Sequence, residues 1–323
     1  MKNFVLLFLL LVSCTKPVLD APILKADPVM KSLELAENEV PFFTLAGQSN
    51  MVGPATPRLS NALDAPTYSA TPSDVYIYAK GPTASLADQQ ADNGEWQPLV
   101  LGTNNGLPYN VGAPDYMGIE MSLGATMRDL SGKPVYIIKA AFSATGVTST
   151  LVPGVPGNWN NTNRTIFYVN HVKPALEDFR KDNPGLVPVW VGHIWWGGER
   201  DAKQAVPKAT FKTQFQSMSN YMLDSAATQF GHYPRSVHII NIDFWSNTNE
   251  ANIRQGFVEL CSTNGWVLWD SQPYPKGSQL TAAQAAPIPR GCNNSTGACD
   301  DAHKSHLAMK PIGRNIATYC YNN

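Results

Sequence analysis

Six short runs rich in β-branched and aromatic residues recur along the chain, and most are apolar without a break: Val40–Ala46, Val75–Ala79, Pro134–Ala141, Val187–Trp195, Val237–Asp243 and Trp266–Trp269. A strand with one wet face alternates apolar and polar residues, whereas a strand covered on both faces reads as a continuous apolar run. Helical patterns lie between the runs. Ile119, Leu123, Met127 and Leu130 fall on one stripe at spacings of four, four and three. The stretches 166–181, 208–230, 249–262 and 307–320 also read as helices, the last through Leu307, Ile312, Ile316 and Tyr319. Strands alternating with helices predict an α/β fold, a three-layer α/β/α sandwich around a central parallel sheet. No internal repeat interrupts it. The stretches 52–73, 80–117 and 143–163 are polar and rich in Gly and Pro, and loops of that length in a compact domain usually carry function.

The N-terminus reads as an address. Lys2 precedes an apolar run, Phe4–Val12, that is too short to span a bilayer but fits the core of an export signal. The run ends Leu11-Val12-Ser13-Cys14, which resembles a bacterial lipobox with Cys14 as the lipidated residue. The expected organisation is a signal peptide over 1–13, a tether over 14–38 in which Pro17, Pro22 and Pro28 block regular structure, and one domain over 39–323. That describes an exported bacterial lipoprotein, periplasmic or at the cell surface, with the membrane touched only through its lipid anchor. Four cysteines follow Cys14. Cys292 with Cys299 closes a short loop and is the preferred disulfide, leaving Cys261 with Cys320.

Charge excludes several partners. Lys and Arg number 24 against 25 Asp and Glu, a formal charge of −1, and charged residues are only 15% of the chain. No field of either sign is present to attract nucleic acid, and the aromatic content is too high for a disordered chain. The six histidines are scattered without an HExxH pair, and no Gly-rich phosphate loop occurs, so neither a metal nor a nucleotide cofactor is expected.

In an open parallel sheet, ligands bind beyond the C-terminal strand ends. Gly47-Gln48-Ser49-Asn50-Met51 follows the first strand, where a Ser presents its hydroxyl and backbone N–H together at a helix start. A plain helix N-cap is the alternative for Ser49. Trp195-Trp196-Gly197-Gly198-Glu199-Arg200-Asp201 follows the fourth, with carboxylates also explained by a helix N-terminus. Asp300 and His303 stand three apart near the C-terminus, a spacing at which a carboxylate can fix an imidazole tautomer.

At these residues the chain resembles the sialate O-acetylesterase and carbohydrate esterase family six branch of the SGNH hydrolases. Phe43–Met51 is similar to that branch's nucleophile block, and Tyr116–Glu120 to its second block. Trp195–Asp201 is similar to a Trp-x-Gln-Gly-Glu-x-Asp block, and Asp300-x-x-His303, with Gly313 ten residues on, to the terminal block. The resemblance implies a flavodoxin-like SGNH fold and Ser-His-Asp ester hydrolysis, commonly deacetylation of sugars, without a cofactor. Ser49 would be the nucleophile, His303 the base and Asp300 its orienter, with the Ser49 and Gly118 N–H groups in the oxyanion hole.

One position departs from the pattern. The block's oxyanion-donating Gln is replaced by Gly197, and losing such a donor costs about 2.7–4 kcal/mol of transition-state stabilisation. Gln48, Asn50 and Trp196 are the candidates for its replacement, and Glu199 and Asp201 are expected at the site's edge in structural roles. Tyr109, Tyr116, Trp159, Trp195 and Trp196 are candidates for stacking on sugar rings, with core packing as the alternative. Xylan, pectin, sialic acid and other acetylated glycans all remain open as substrates on this reading. The competing functions are a surface lipoprotein that binds acetylated glycans without turnover and a lipase-like enzyme.

Overall fold

The protein is described here by a computed structural model covering residues 32–53, 73–79, 94–99, 118–142, 145–148, 158–243, 248–273, 304 and 306–323. Its strands are β1 (Glu39–Gly47), β2 (Val75–Ala79), β3 (Trp96–Pro98), β4 (Val135–Ala141), β5 (Val187–Trp196), β6 (Ser236–Asn241) and β7 (Val267–Asp270). They form one sheet in the order β3-β2-β4-β1-β5-β6-β7. Every pairing is parallel except that of β2 with β3.

The helices are α1 (Ser49–Val52), α2 (Glu120–Ser131), α3 (Lys173–Asp182), α4 (Glu199–Lys203), α5 (Lys208–Phe230), α6 (Thr248–Asn264) and α7 (His306–Asn322). They divide between two cores, one on each face of the sheet. Phe42, Tyr136, Trp190 and Trp195 point to the face covered by α3, α5 and α6. Phe43, Leu45, Ile137, Val191 and Trp196 point to the face covered by α1, α2 and α7. Continuous apolar strands are the sequence form of this arrangement, since each successive side chain is buried in one core or the other. Each such large side chain contributes roughly 1.5–3 kcal/mol. Gly313 lets α7 cross close over α2: a Cβ there would lie 2.5 Å from Ile119 O, and Ser122 Oγ donates to Met309 O at 3.1 Å.

The two faces also locate the crevice. After β1 the chain turns to the α1–α2 face, and after β4 and β5, its two neighbours, to the other. The C-terminal end of β1 is therefore a topological switch point, where ligands bind in open α/β sheets.

Four expectations need correction. β3 lies inside a stretch read as loop, and it makes one edge of the sheet antiparallel. The helix expected from 166 begins at Trp159, through π-helical stretches Trp159–Asn163 and Phe167–Val172 around a short α turn. Leu130, read as part of the apolar stripe of α2, is 37% exposed, while Ile119, Leu123 and Met127 of the same stripe are buried. Cys261 and Cys320 are free thiols: the first packs in the α3–α5–α6 core and the second in the α1–α2–α7 core, on opposite sides of the sheet. Cys292 and Cys299 lie outside the described residues. So do residues 1–31; of the stretch expected as a tether, 32–38 carry no regular element, and Leu33 N–H donates to Tyr321 O at the end of α7.

Candidate active site

Backbone geometry at the end of β1 fixes the segment Gln48-Ser49-Asn50. Phe142 N–H donates to Gly47 O at 3.0 Å and Gln48 N–H to Trp196 O at 2.9 Å, so residues 47 and 48 are held between the ends of β4 and β5. Only glycine fits at 47: its φ is +149°, and a Cβ would lie 2.0 Å from Trp196 O. The chain then turns sharply into α1, whose first residue is Ser49, closed by Val52 N–H to Gln48 O and Gly53 N–H to Ser49 O. Ser49 is 9% exposed.

Asn50 ties three strand ends together. Its Nδ2 donates to Glu199 Oε1 at 2.6 Å, at the start of α4 after β5. Its Oδ1 accepts from Lys304 N–H at 2.9 Å, and Lys304 Nζ in turn pairs with Asp243 Oδ2 at 2.5 Å, beyond β6. Asn50, Glu199 and Lys304 are all buried. Asp201 reaches sideways: its carboxylate accepts from Val147 N–H, Thr148 N–H and Thr148 Oγ1 at 2.7–2.9 Å and so holds the segment after β4 against α4. Burial pushes the Asp201 carboxyl up from the ordinary range, against the pull of these donors.

Below α1 lies a buried ion pair. Lys139 Nζ, from β4, sits 2.8 Å from Glu120 Oε2 and also donates to Val52 O at 3.4 Å. The other oxygen of Glu120 accepts from Gly118 N–H at 2.5 Å. That N–H, expected in an oxyanion hole, is thus engaged by a carboxylate in this structure.

The space beside Gly197 is occupied by Gln48. A Cβ on Gly197 would lie 3.2 Å from Gln48 Cγ and 3.1 Å from Trp195 Cζ2. Gln48 Oε1 accepts from Gly198 N–H at 3.5 Å and Arg200 N–H at 3.4 Å. Trp196, expected at the site's edge, instead packs wholly inside the α1–α2–α7 core, and its indole N–H is sealed without a hydrogen-bond partner. Trp159 and Trp195 are core residues of the other face, so none of these three presents a ring for sugar stacking. Asp300, His303, Tyr109 and Tyr116 lie outside the described residues.

Sequence reasoning missed Glu120, Lys139, Asp243 and Lys304. Lys139 carried a visible signal, as the one charged residue in the otherwise apolar or aromatic run Val135–Ala141, and Glu120 closes the block Tyr116–Glu120 without a role assigned to it. The others act through contacts between distant parts of the chain.

Sheet order and strand-end geometry define an α/β sandwich with its candidate site at the central switch point, the SGNH hydrolase fold. No family profile and no curated protein matches the chain. Among solved structures, a protein from Arabidopsis thaliana is similar with a TM-score of 0.56 at 14% identity, over 88% of this chain and 98% of that one. NanS is similar with a TM-score of 0.55 at 13% identity, over 89% and 98%. A carbohydrate acetylesterase from Xanthomonas citri aligns with a TM-score of 0.45 at 15% identity, over 87% of this chain and 56% of that one.

Proposed function

We propose that the chain is a serine-type carboxylic ester hydrolase that removes acetyl groups from sugars. The observation that carries the reading is the bond from Lys304 N–H to Asn50 Oδ1. It ties the residue that follows His303 to the residue that follows Ser49, across 254 positions of sequence.

In this mechanism Ser49 Oγ attacks the acetyl carbonyl while His303 takes its proton, and Asp300 holds the imidazole in the correct tautomer. The tetrahedral oxyanion is held by the Ser49 N–H, which lies at the first residue of a helix. Gly118 N–H joins only as its bond to Glu120 lengthens. The sugar oxygen leaves with the proton from His303. Water, deprotonated by the same imidazole, then attacks the acetyl-serine ester and releases acetate and a free Ser49 hydroxyl. No cofactor enters any step. Export and anchoring through Cys14 belong to the same proposal; a Cys14→Ala variant that still takes up labelled fatty acid would remove that part.

The test is acetate release from an acetylated sugar, which Ser49→Ala abolishes. A chain-length series of nitrophenyl esters separates it from a lipase: turnover collapses beyond acetate or propionate for a deacetylase. One observation favours a second reading, a glycan-binding surface protein without turnover: position 197 lacks the donor side chain. Calorimetric binding of an acetylated glycan with no acetate release selects that reading.

A further inference from the structure

We infer that Gln48 donates the side-chain hydrogen bond of the oxyanion hole through Nε2, in place of the amide that Gly197 lacks; this rests on the ester-hydrolase reading above. The sequence offered three side chains for this role, and two are engaged elsewhere. Asn50 is held at both ends of its amide, by Glu199 and by Lys304. The Trp196 indole is enclosed in the core.

Gln48 is oriented differently. Two backbone N–H groups, of Gly198 and Arg200, face one end of its amide, and only an oxygen can meet them. The amide's direction is therefore set by chemistry, and Nε2 is turned away from α4. Among the described residues that nitrogen has no hydrogen-bond partner, yet it is not one of the polar atoms sealed from solvent. A side chain only 4% exposed thus keeps its unpaired donor at the surface, one residue from the nucleophile. Such an orphan donor in a buried setting calls for an acceptor.

Position agrees. Gln48 Cγ lies 3.2 Å from where a side chain at 197 would begin, so its amide occupies the neighbourhood that side chain would have entered. The backbone is fixed on both sides, by Gln48 N–H to Trp196 O and Val52 N–H to Gln48 O. A donor held before the reaction costs no reorganisation as negative charge develops on the carbonyl oxygen.

The experiment measures kcat and KM on 4-nitrophenyl acetate for the full chain and its variants. Gln48→Glu keeps an oxygen facing Gly198 and Arg200 but removes the donor, so kcat falls roughly a hundred- to thousandfold with KM nearly constant. Gln48→Ala falls similarly. Adding Gly197→Gln to Gln48→Ala supplies the amide from the other side, into the space that Gln48 Cγ has vacated, and recovers about tenfold or more of the loss. If Gln48→Glu stays within about threefold of wild type while Ser49→Ala is inactive, the donor role is overturned and ester hydrolysis stands. If Gln48→Glu loses its thermal transition, or the double variant recovers nothing, Gln48 is a structural support and the inference is equally overturned. A wild-type protein that releases no nitrophenol removes the hydrolase reading and this inference together.

Discussion

Two serines in this protein invite comparison as nucleophiles, Ser49 by its place in the fold and Ser236 by its neighbours. Ser49 stands at the C-terminal end of β1, at the switch point. Ser236 begins β6, and its Oγ lies 2.7 Å from His238 Nε2, with Cys320 Sγ 3.1 Å from the same nitrogen. By distance alone Ser236 looks like a serine–histidine pair. Trp269 Nε1–H, however, donates to His238 Nδ1 at 3.0 Å. An indole nitrogen only donates, so Nδ1 must accept and the imidazole proton sits on Nε2. His238 therefore donates toward Ser236 and Cys320 and takes no proton from either. Burial pushes its pKa down to about 3, with His193 adding to the effect, and pushes the Cys320 thiol up to about 12. Proximity makes a nucleophile only where tautomer and access agree, and the interior cluster fails on both.

The largest expected effect separates the two serines directly. Ser49→Ala reduces acetate release to the uncatalysed background, while Ser236→Ala leaves kcat within about twofold of wild type. Acid sharpens the contrast next. His238 and His193 both sit at a pKa of about 3 through burial, against about 6.5 unfolded. Below 6.5 the unfolded chain binds protons that the folded chain refuses. Their stabilising share is present above 6.5 and is lost as pH falls from there toward 3, by about 1.4 kcal/mol per pH unit for each histidine. Urea unfolding from pH 7 to 5 reads this slope, and His238→Gln halves the histidine part.

Asn50→Ala comes third. It cuts the links from α1 to Glu199 and to Lys304, and a misplaced base of this kind costs about a hundredfold in kcat. The check is a kcat and KM comparison at several pH values: the loss falls on kcat. Smallest is Ser236→Ala on stability, at about 1 kcal/mol for each bond lost by its hydroxyl, to His238 and to Val191 O, read from the urea midpoint.

The sheet was legible because a strand buried on both faces is written mostly in apolar residues, as in β4 and β5, each interrupted by one titratable residue, Lys139 and His193. β3 was hidden because three residues at an antiparallel edge leave no period inside a Gly- and Pro-rich stretch. The helix start at Trp159 was hidden because W-N-N-T-N offers no apolar stripe. At the site, Gln48-Ser49-Asn50 was legible since its residues are neighbours in the chain. Lys304, Asp243 and Glu120 were not, because their roles depend on a fold that brings distant segments together. The Cys261–Cys320 expectation failed for the converse reason: counting cysteines carries no information on which face of a sheet each will occupy.

The most direct measurement of the central claim is to quench the protein during turnover of 4-nitrophenyl acetate and map the acetyl group by mass spectrometry. The account predicts acetyl on the peptide carrying Ser49, absent in Ser49→Ala. An acetyl group on any other residue, or turnover with none on Ser49 at any time after mixing, contradicts it.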